Sequence, residues 1–299
     1  MADLMKMEIA GITFIISCED SVILQEFPSI YQPFLKKTLS ASDSMTIHIQ
    51  LELHDVPDTS HMTKIFETEQ SWSMYTDHDE YVMALYSQVV QNQAVWLARF
   101  NENFSKTVVY CGELLRRETD GGKMLSPVLY PLDQLLMVHI LTQNHGALIH
   151  AAGIELQGNG YIFPGRSGGG KSTLMFKFAE RKGFGLLSDD RMAVRKIDHM
   201  FLAYGTPWAG EAGIADNKSA PLAGIFFITH GSSNRIEPMG PREAFERLMP
   251  VTSIPWYHEK MMTKALSFCN DLLNHVPAYE LHFKPDVEVA DDFRTFVSA

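Results

Sequence analysis

The chain has 299 residues, of which 45% are hydrophobic, and its formal net charge at pH 7 is −11. A hydrophobic fraction of this size predicts a packed globular core and excludes a disordered chain. The acidic balance, without a basic stripe, argues against binding to nucleic acids. Because no apolar run reaches the roughly 18–20 residues of a membrane span, we expect a cytoplasmic protein without a membrane partner.

The cysteines and the first apolar run exclude further classes of protein. Cys18, Cys111 and Cys269 are far apart and form no C-x-x-C pair, which argues against a disulfide framework or a zinc site. The short apolar run from Ile9 to Ile16 has acidic residues nearby and predicts a strand instead of a signal peptide.

Residues 1–125 predict a β-rich α+β domain. Five segments are rich in β-branched and aromatic residues, and several alternate apolar and polar positions, as half-buried antiparallel strands do. These segments are Glu8–Ser17, Met45–His54, Tyr81–Ser87, Ala94–Phe100 and Lys106–Cys111. A linker is predicted at residues 119–122, so we place a domain boundary between residues 125 and 126. We expect this first domain to recognise a substrate or to form an oligomer interface.

Residues 126–299 alternate between helical and strand patterns, which predicts an α/β domain. The predicted helices are Pro131–Asn144, Lys171–Arg181, Pro241–Met249, His258–His275 and Asp286–Val297. The predicted strands are Gly146–Leu156 (a strand or a hairpin), Gly160–Phe163, Phe184–Ser188, Met192–Ile197, Ala223–Thr229 and Tyr279–Phe283.

A glycine-rich segment between a predicted strand and a predicted helix fits the phosphate-binding pattern G-x-x-x-x-G-K-[ST] at every required position. Glycines let the backbone curl so that its N–H groups point at one anion, and the following helix adds its positive end. Lys171 supplies a point charge for the outer phosphates, and the Ser172 hydroxyl is a ligand for Mg²⁺. The residues expected to bind ATP are Gly165, Arg166, Ser167, Gly168, Gly169, Gly170, Lys171, Ser172 and Thr173.

Two adjacent carboxylates, Asp189 and Asp190, are predicted to return to the phosphate loop. About twelve helical residues rise roughly 18 Å, and about five extended residues return roughly 17 Å. The pair therefore lies at the carboxyl end of the next strand, where ligands of α/β sheets collect. One carboxylate can hold Mg²⁺ while the other accepts a proton from an attacking hydroxyl. The residues alone leave His150 and Glu211 without an assigned role.

Together, these residues resemble the catalytic domain of the HPr kinase/phosphorylase family, and more closely the HPr-kinase-related proteins known as serine kinases of that type. The fold of this family is similar to that of ATP-dependent phosphoenolpyruvate carboxykinases. The resemblance spans roughly Pro131 to Ile228. The segments that carry it are GALIHAAGI, FPGRSGGGKSTL, LLSDD, YGTPWAGE and APLAGIFFI.

The resemblance implies an α/β P-loop kinase domain in residues 126–299 and assigns roles to residues of that domain. Lys171 binds the phosphates of ATP, while Ser172 and Glu211 bind Mg²⁺. Asp190 is the general base, with Asp189 supporting the metal or the base, and His150 assists near the transferred phosphoryl group. The family's catalytic arginine has no clear match, and its candidates are Arg235 and Arg242.

We therefore expect an ATP- and Mg²⁺-dependent kinase that phosphorylates a hydroxyl group on a protein, a peptide or a small molecule. The alternative is a nucleotide-binding regulatory or scaffold protein without phosphoryl transfer. A carboxykinase requires further carboxylate- and metal-binding residues, and a guanine-specific switch requires N-K-x-D, which fails at Ala220. The resemblance leaves a homo-oligomer open, since the true HPr kinases are oligomeric.

Overall fold

The structure is a computed structural model that describes residues 2–18, 20, 23–37, 45–68, 71–87, 93–117 and 123–299. The chain is a mixed α/β protein with two large sheets, and it divides into two compact units, Met1–Leu136 and Met137–Ala299. The predicted boundary between residues 125 and 126 stays a prediction, and the predicted linker at residues 119–122 lies outside the described residues. Among the helices that the structure describes, none is both long enough and apolar enough to cross a bilayer.

The first unit is built around an eight-stranded sheet with the order β1-β2-β4-β9-β8-β7-β6-β5. The strands of this unit, including two outside that sheet, are β1 (Ala2–Ile9), β2 (Ile12–Cys18), β3 (Ile23–Leu24), β4 (Met45–Glu52), β5 (Thr63–Glu67), β6 (Trp72–Asp77), β7 (Glu80–Tyr86), β8 (Ala94–Phe100), β9 (Lys106–Cys111) and β10 (Lys123–Met124). A 3-10 helix covers Ser29–Phe34, and helix α1 covers Glu113–Arg117. Strands β3 and β10 form a separate parallel pair.

Two expectations for this unit are wrong. The segment Glu8–Ser17 is not one strand, because the chain reverses at Ala10 and Gly11, which both have positive φ, and forms the β1–β2 hairpin. The sheet is also not purely antiparallel, since β2 pairs with β4 and β4 with β9 in parallel. Every residue of β2 is buried, which explains its nearly continuous apolar sequence.

The second unit contains a sheet with the order β12-β11-β14-β15-β16-β18-β17, in which β13 pairs with β11 and β12 also pairs with β16. Its strands are β11 (Gly146–Leu156), β12 (Asn159–Pro164), β13 (Phe184–Ser188), β14 (Arg191–Ile197), β15 (Met200–Tyr204), β16 (Ser219–His230), β17 (Arg235–Met239) and β18 (Ala278–Phe283). Its helices are α3 (Lys171–Ala179), α4 (Pro241–Leu248), α5 (Glu259–His275) and α6 (Glu288–Ser298), with a 3-10 helix at Met249–Val251. Helix α2 (Leu132–Gln143) crosses the division between the two units.

Helices cover both faces of the second sheet, and each face has its own apolar cluster. One cluster includes Phe227 of β16 and Phe268 of α5. The other includes Phe163 of β12, Phe178 of α3 and Phe293 of α6, whose rings lie 5.4–5.5 Å from one another. Since β12, β16 and β18 are parallel neighbours, their carboxyl ends meet at one edge, where α3 begins.

We expect the cysteine thiols to be unreactive in the folded protein. All three are buried and none is in a disulfide. Burial raises the pKa of the Cys111 thiol to about 12 and that of Cys269 to about 11, so the reactive thiolate is scarce near neutral pH. Ellman's reagent should label three thiols per chain in denaturant and essentially none in buffer. Rapid labelling of the native protein would contradict this packing.

Candidate functional site

The segment between β12 and α3 forms a curled loop whose shape depends on glycine. Gly168 has φ +76° and Gly170 has φ +92°, a backbone region that side chains with a Cβ rarely enter. Within the loop, the Gly169 N–H donates to the Arg166 carbonyl at 3.1 Å. Gly170 then caps α3, which begins at Lys171. A strand, a glycine-rich curl and a helix N-terminus follow each other as a phosphate cradle requires.

Backbone hydrogen bonds of β11 bring the loop and the aspartate pair together. The Gly165 N–H donates to the His150 carbonyl at 3.1 Å, and the Ala151 N–H donates to the Asp190 carbonyl at 3.0 Å. Strand β13 ends at Ser188, so both aspartates follow a strand end. The structure therefore places Asp190 beside the phosphate loop, as the return distance predicts.

Three side chains form a continuous polar chain at this point. Lys171 Nζ lies 3.0 Å from His150 Nε2, and the same His150 nitrogen lies 2.7 Å from Asp190 Oδ1. Lys171 Nζ also donates to the carbonyls of Gly165 at 2.9 Å and Arg166 at 3.1 Å. One imidazole nitrogen cannot donate to Asp190 and accept from Lys171 at once. Donation to the carboxylate, the shorter contact, leaves one N–H of the lysine ammonium available to an incoming anion.

Burial and charge set the ionisation of this chain. Burial disfavours the ammonium and lowers the pKa of Lys171, although the Asp190 charge opposes this shift. Burial alone would raise the pKa of Asp190. The hydrogen bond from His150, with the charges of Arg191, His150 and Lys171, outweighs burial and lowers that pKa below its ordinary value. Asp190 is therefore ionised at neutral pH and is able to accept a proton.

The neighbouring aspartate has different surroundings. Asp189 is only 1% exposed, and its carboxylate accepts three backbone N–H groups. The donors are Gly210 at 2.9 Å, Ala212 at 2.7 Å and Ile214 at 3.2 Å. A carboxylate has about four acceptor positions, so little capacity remains for a metal ion. The contacts assign Asp189 to holding the loop 210–214.

That loop carries Glu211 between two of the residues anchored on Asp189. The Glu211 side chain is exposed, and it has no hydrogen bond or ion pair within the described residues. Ser172, half-buried in the first turn of α3, likewise has no side-chain hydrogen bond in the part of the chain that the structure describes, and no such bond joins the two. A hydroxyl and a carboxylate are the hard oxygen ligands that Mg²⁺ prefers, so their chemistry fits this ion.

One further charged residue belongs to the site but is not among the predicted site residues. Arg191 Nη1 lies 3.4 Å from Asp190 Oδ2, and Arg191 is paired with His150 across the β11–β14 ladder. The available sequence signal is its position directly after the acidic pair. The alternation of residues along the strand does not distinguish Arg191 from an ordinary surface arginine.

We expect Asp189→Ala to destabilise the protein by about 3 kcal/mol, because the change removes a buried carboxylate that accepts three backbone N–H groups. Urea unfolding, followed by tryptophan fluorescence and circular dichroism, measures this loss. Asp216→Ala is the matched control, because Asp216 is more exposed and its side chain pairs with the exposed Lys218. The loss should stay below about 1 kcal/mol. Equal effects of the two substitutions would show that Asp189 does not hold the loop.

The sequence matches no protein-family model and no curated protein. Solved structures do match, and among them is the HPr(Ser) kinase/phosphatase from Coxiella burnetii. The chain is similar to that structure at 11% identity and a TM-score of 0.29, over 50% of this chain and 92% of that chain.

Proposed function

We propose that this chain is an ATP- and Mg²⁺-dependent phosphotransferase that transfers the γ-phosphoryl group to a hydroxyl. The observation that carries the proposal is the polar chain Lys171–His150–Asp190 beside a glycine-rich loop. It combines a cation for phosphates, an ionised carboxylate for a proton and an imidazole that contacts both. A site that only stores a nucleotide does not require a group that accepts a proton.

In the proposed reaction, the loop amides and Lys171 hold the outer phosphates of ATP. Asp190 accepts the proton of the acceptor hydroxyl as that oxygen bonds to the γ-phosphorus. The bond from the γ-phosphorus to its bridging oxygen breaks, and its electron pair leaves with ADP. His150 orients Asp190 through the 2.7 Å contact. Ser172 and Glu211 would hold Mg²⁺, which would supply charge neutralisation for the phosphates. Asp189 supports the loop that carries Glu211.

We propose that residues 126–299 form a kinase domain of the HPr kinase and phosphoenolpyruvate carboxykinase type. Residues 1–125 then recognise the acceptor or join copies of the chain, and the enzyme acts in the cytoplasm. The acceptor is a serine of a protein or peptide, or the alcohol of a small molecule.

The test is transfer of radioactive phosphate from [γ-³²P]ATP with Mg²⁺. Two peptide pools serve as acceptors, one with a single serine in otherwise varied sequence and one with alanine in its place. We expect labelling of the serine pool by the wild-type chain and none of the alanine pool. Phosphate release into water, measured in parallel, reports turnover when the true acceptor is a small alcohol absent from both pools.

The regulatory or scaffold alternative gives a different pattern in the same assay. Such a protein would bind ATP, label neither pool and release phosphate at a rate that Asp190→Asn does not change. That combination would reject the transferase proposal while keeping the nucleotide site.

A further inference from the structure

The position of Arg191 on strand β14 brings its side chain to the candidate site. It is the first residue of β14 and lies directly opposite His150 in the antiparallel pairing with β11. Directly opposed residues of antiparallel strands project to the same face of the sheet. The guanidinium therefore shares a face with the imidazole, and its Nη1 lies 3.4 Å from Asp190 Oδ2.

The guanidinium has unused hydrogen-bonding capacity. Arg191 Nη1 is buried, yet it has no hydrogen-bond partner among the described residues. Its 3.4 Å contact with Asp190 is an ion pair that falls short of a two-pronged hydrogen bond. Buried donors usually find an acceptor, and a guanidinium offers a planar fork that matches phosphate oxygens. The side chain as a whole is 26% exposed, although Nη1 itself is buried.

The arginines predicted from the sequence are occupied elsewhere. Arg242 is 94% exposed and pairs with Glu246 on its own helix. Arg235 lies on the edge strand β17, where it contacts Glu237 and His282. Neither forms an ion pair or hydrogen bond with Lys171, His150 or Asp190 in the described residues. Arg235 and Arg242 therefore stay sequence predictions without such a contact.

We propose that Arg191 is the catalytic arginine of this site and that it donates N–H groups to non-bridging oxygens of the phosphoryl group in transfer. The inference rests on the proposed function. During transfer, the acceptor proton passes to Asp190, the acceptor oxygen bonds to the γ-phosphorus, and the bond to the bridging oxygen breaks towards ADP. Charge on the moving group is shared among its oxygens, and a neighbouring guanidinium stabilises it there more than in bound ATP.

The test compares Arg191→Ala and Arg191→Lys with the control Arg242→Ala. Turnover of Mg·ATP gives kcat and KM, and calorimetry gives the affinity for Mg·ATP and for Mg·ADP with aluminium fluoride, a mimic of the transferring group. We expect Arg191→Ala to lower kcat about 100- to 1,000-fold and to weaken the aluminium fluoride complex, while ATP affinity changes by less than about threefold. Arg191→Lys should retain only part of the wild-type kcat, because a lysine ammonium lacks the planar fork of N–H donors that a guanidinium offers.

Three results would overturn the inference. One is an unchanged kcat in Arg191→Ala. Another is a loss of Mg·ATP affinity that equals the loss of turnover, because that would indicate a ground-state or structural role. The third is a kcat of Arg191→Lys that equals the wild-type value. If the alanine variant is unstable, Arg191→Lys carries the test, since it keeps length and charge. Failure of the wild-type chain to bind Mg·ATP would instead reject the proposed function itself.

Discussion

Asp190→Asn is expected to lower phosphoryl transfer about 100- to 10,000-fold, the usual contribution of a general base, while leaving Mg·ATP affinity within about threefold. The amide keeps the size of the side chain and can still accept a hydrogen bond from His150, but it cannot take up a proton. The loss should therefore fall on kcat. Rapid-quench measurement of phosphate release, together with calorimetric titration, separates turnover from binding.

The matched control for this variant is Asp198→Asn. Asp198 is an exposed aspartate in the turn after β14, at the opposite end of that strand from Asp190. Its left-handed backbone, with φ 46°, is one that asparagine also tolerates. Asp198→Asn should leave both turnover and binding unchanged. Retention of full turnover by Asp190→Asn would remove Asp190 from the mechanism and favour the scaffold alternative.

Lys171→Ala is expected to weaken Mg·ATP binding about 10- to 100-fold, the value of a charge-assisted hydrogen bond to phosphate. The substitution also removes the donor that contacts His150, Gly165 and Arg166. Because a ligand that binds only the folded state stabilises it, thermal unfolding with and without Mg·ATP measures the change. The wild-type midpoint should rise with Mg·ATP, and the midpoint of the variant should rise much less at the same concentration.

Lys177→Ala controls for the loss of a lysine from the same helix. Lys177 lies in the last turn of α3 and pairs with Glu180, away from the loop. Its variant should show the full rise of the midpoint with Mg·ATP. An equal rise in wild type, Lys171→Ala and Lys177→Ala would mean that Lys171 does not contact the phosphates.

Short sequence patterns predict those parts of the site that are formed by residues close together in the sequence. The loop motif, the strand before it and the helix after it follow from one short segment, and the observed β12 and α3 match that expectation. The position of Asp190 follows from counting helical and extended residues. Helix α5 also matches closely, because its apolar residues recur at helical spacing.

Other features depend on pairing between residues far apart in sequence, which local propensity does not specify. The reversal at Ala10 and Gly11 is local, but half of it is an alanine with φ 52°, and alanine is not a turn signal. The parallel pairing of β2, β4 and β9 joins segments separated by long stretches of chain. The three amides on Asp189 and the pairing of Arg191 with His150 appear only when the sheet is assembled.

The most direct test of the central claim is a calorimetric titration of the wild-type chain with ATP in the presence of Mg²⁺. We predict saturable binding of one nucleotide per chain, with a large loss of affinity in Lys171→Ala and little change in Asp190→Asn. If the wild-type chain gives no saturable heat at millimolar ATP, and the midpoint of thermal unfolding also stays fixed, the loop does not bind a nucleotide and the proposed phosphotransferase is wrong.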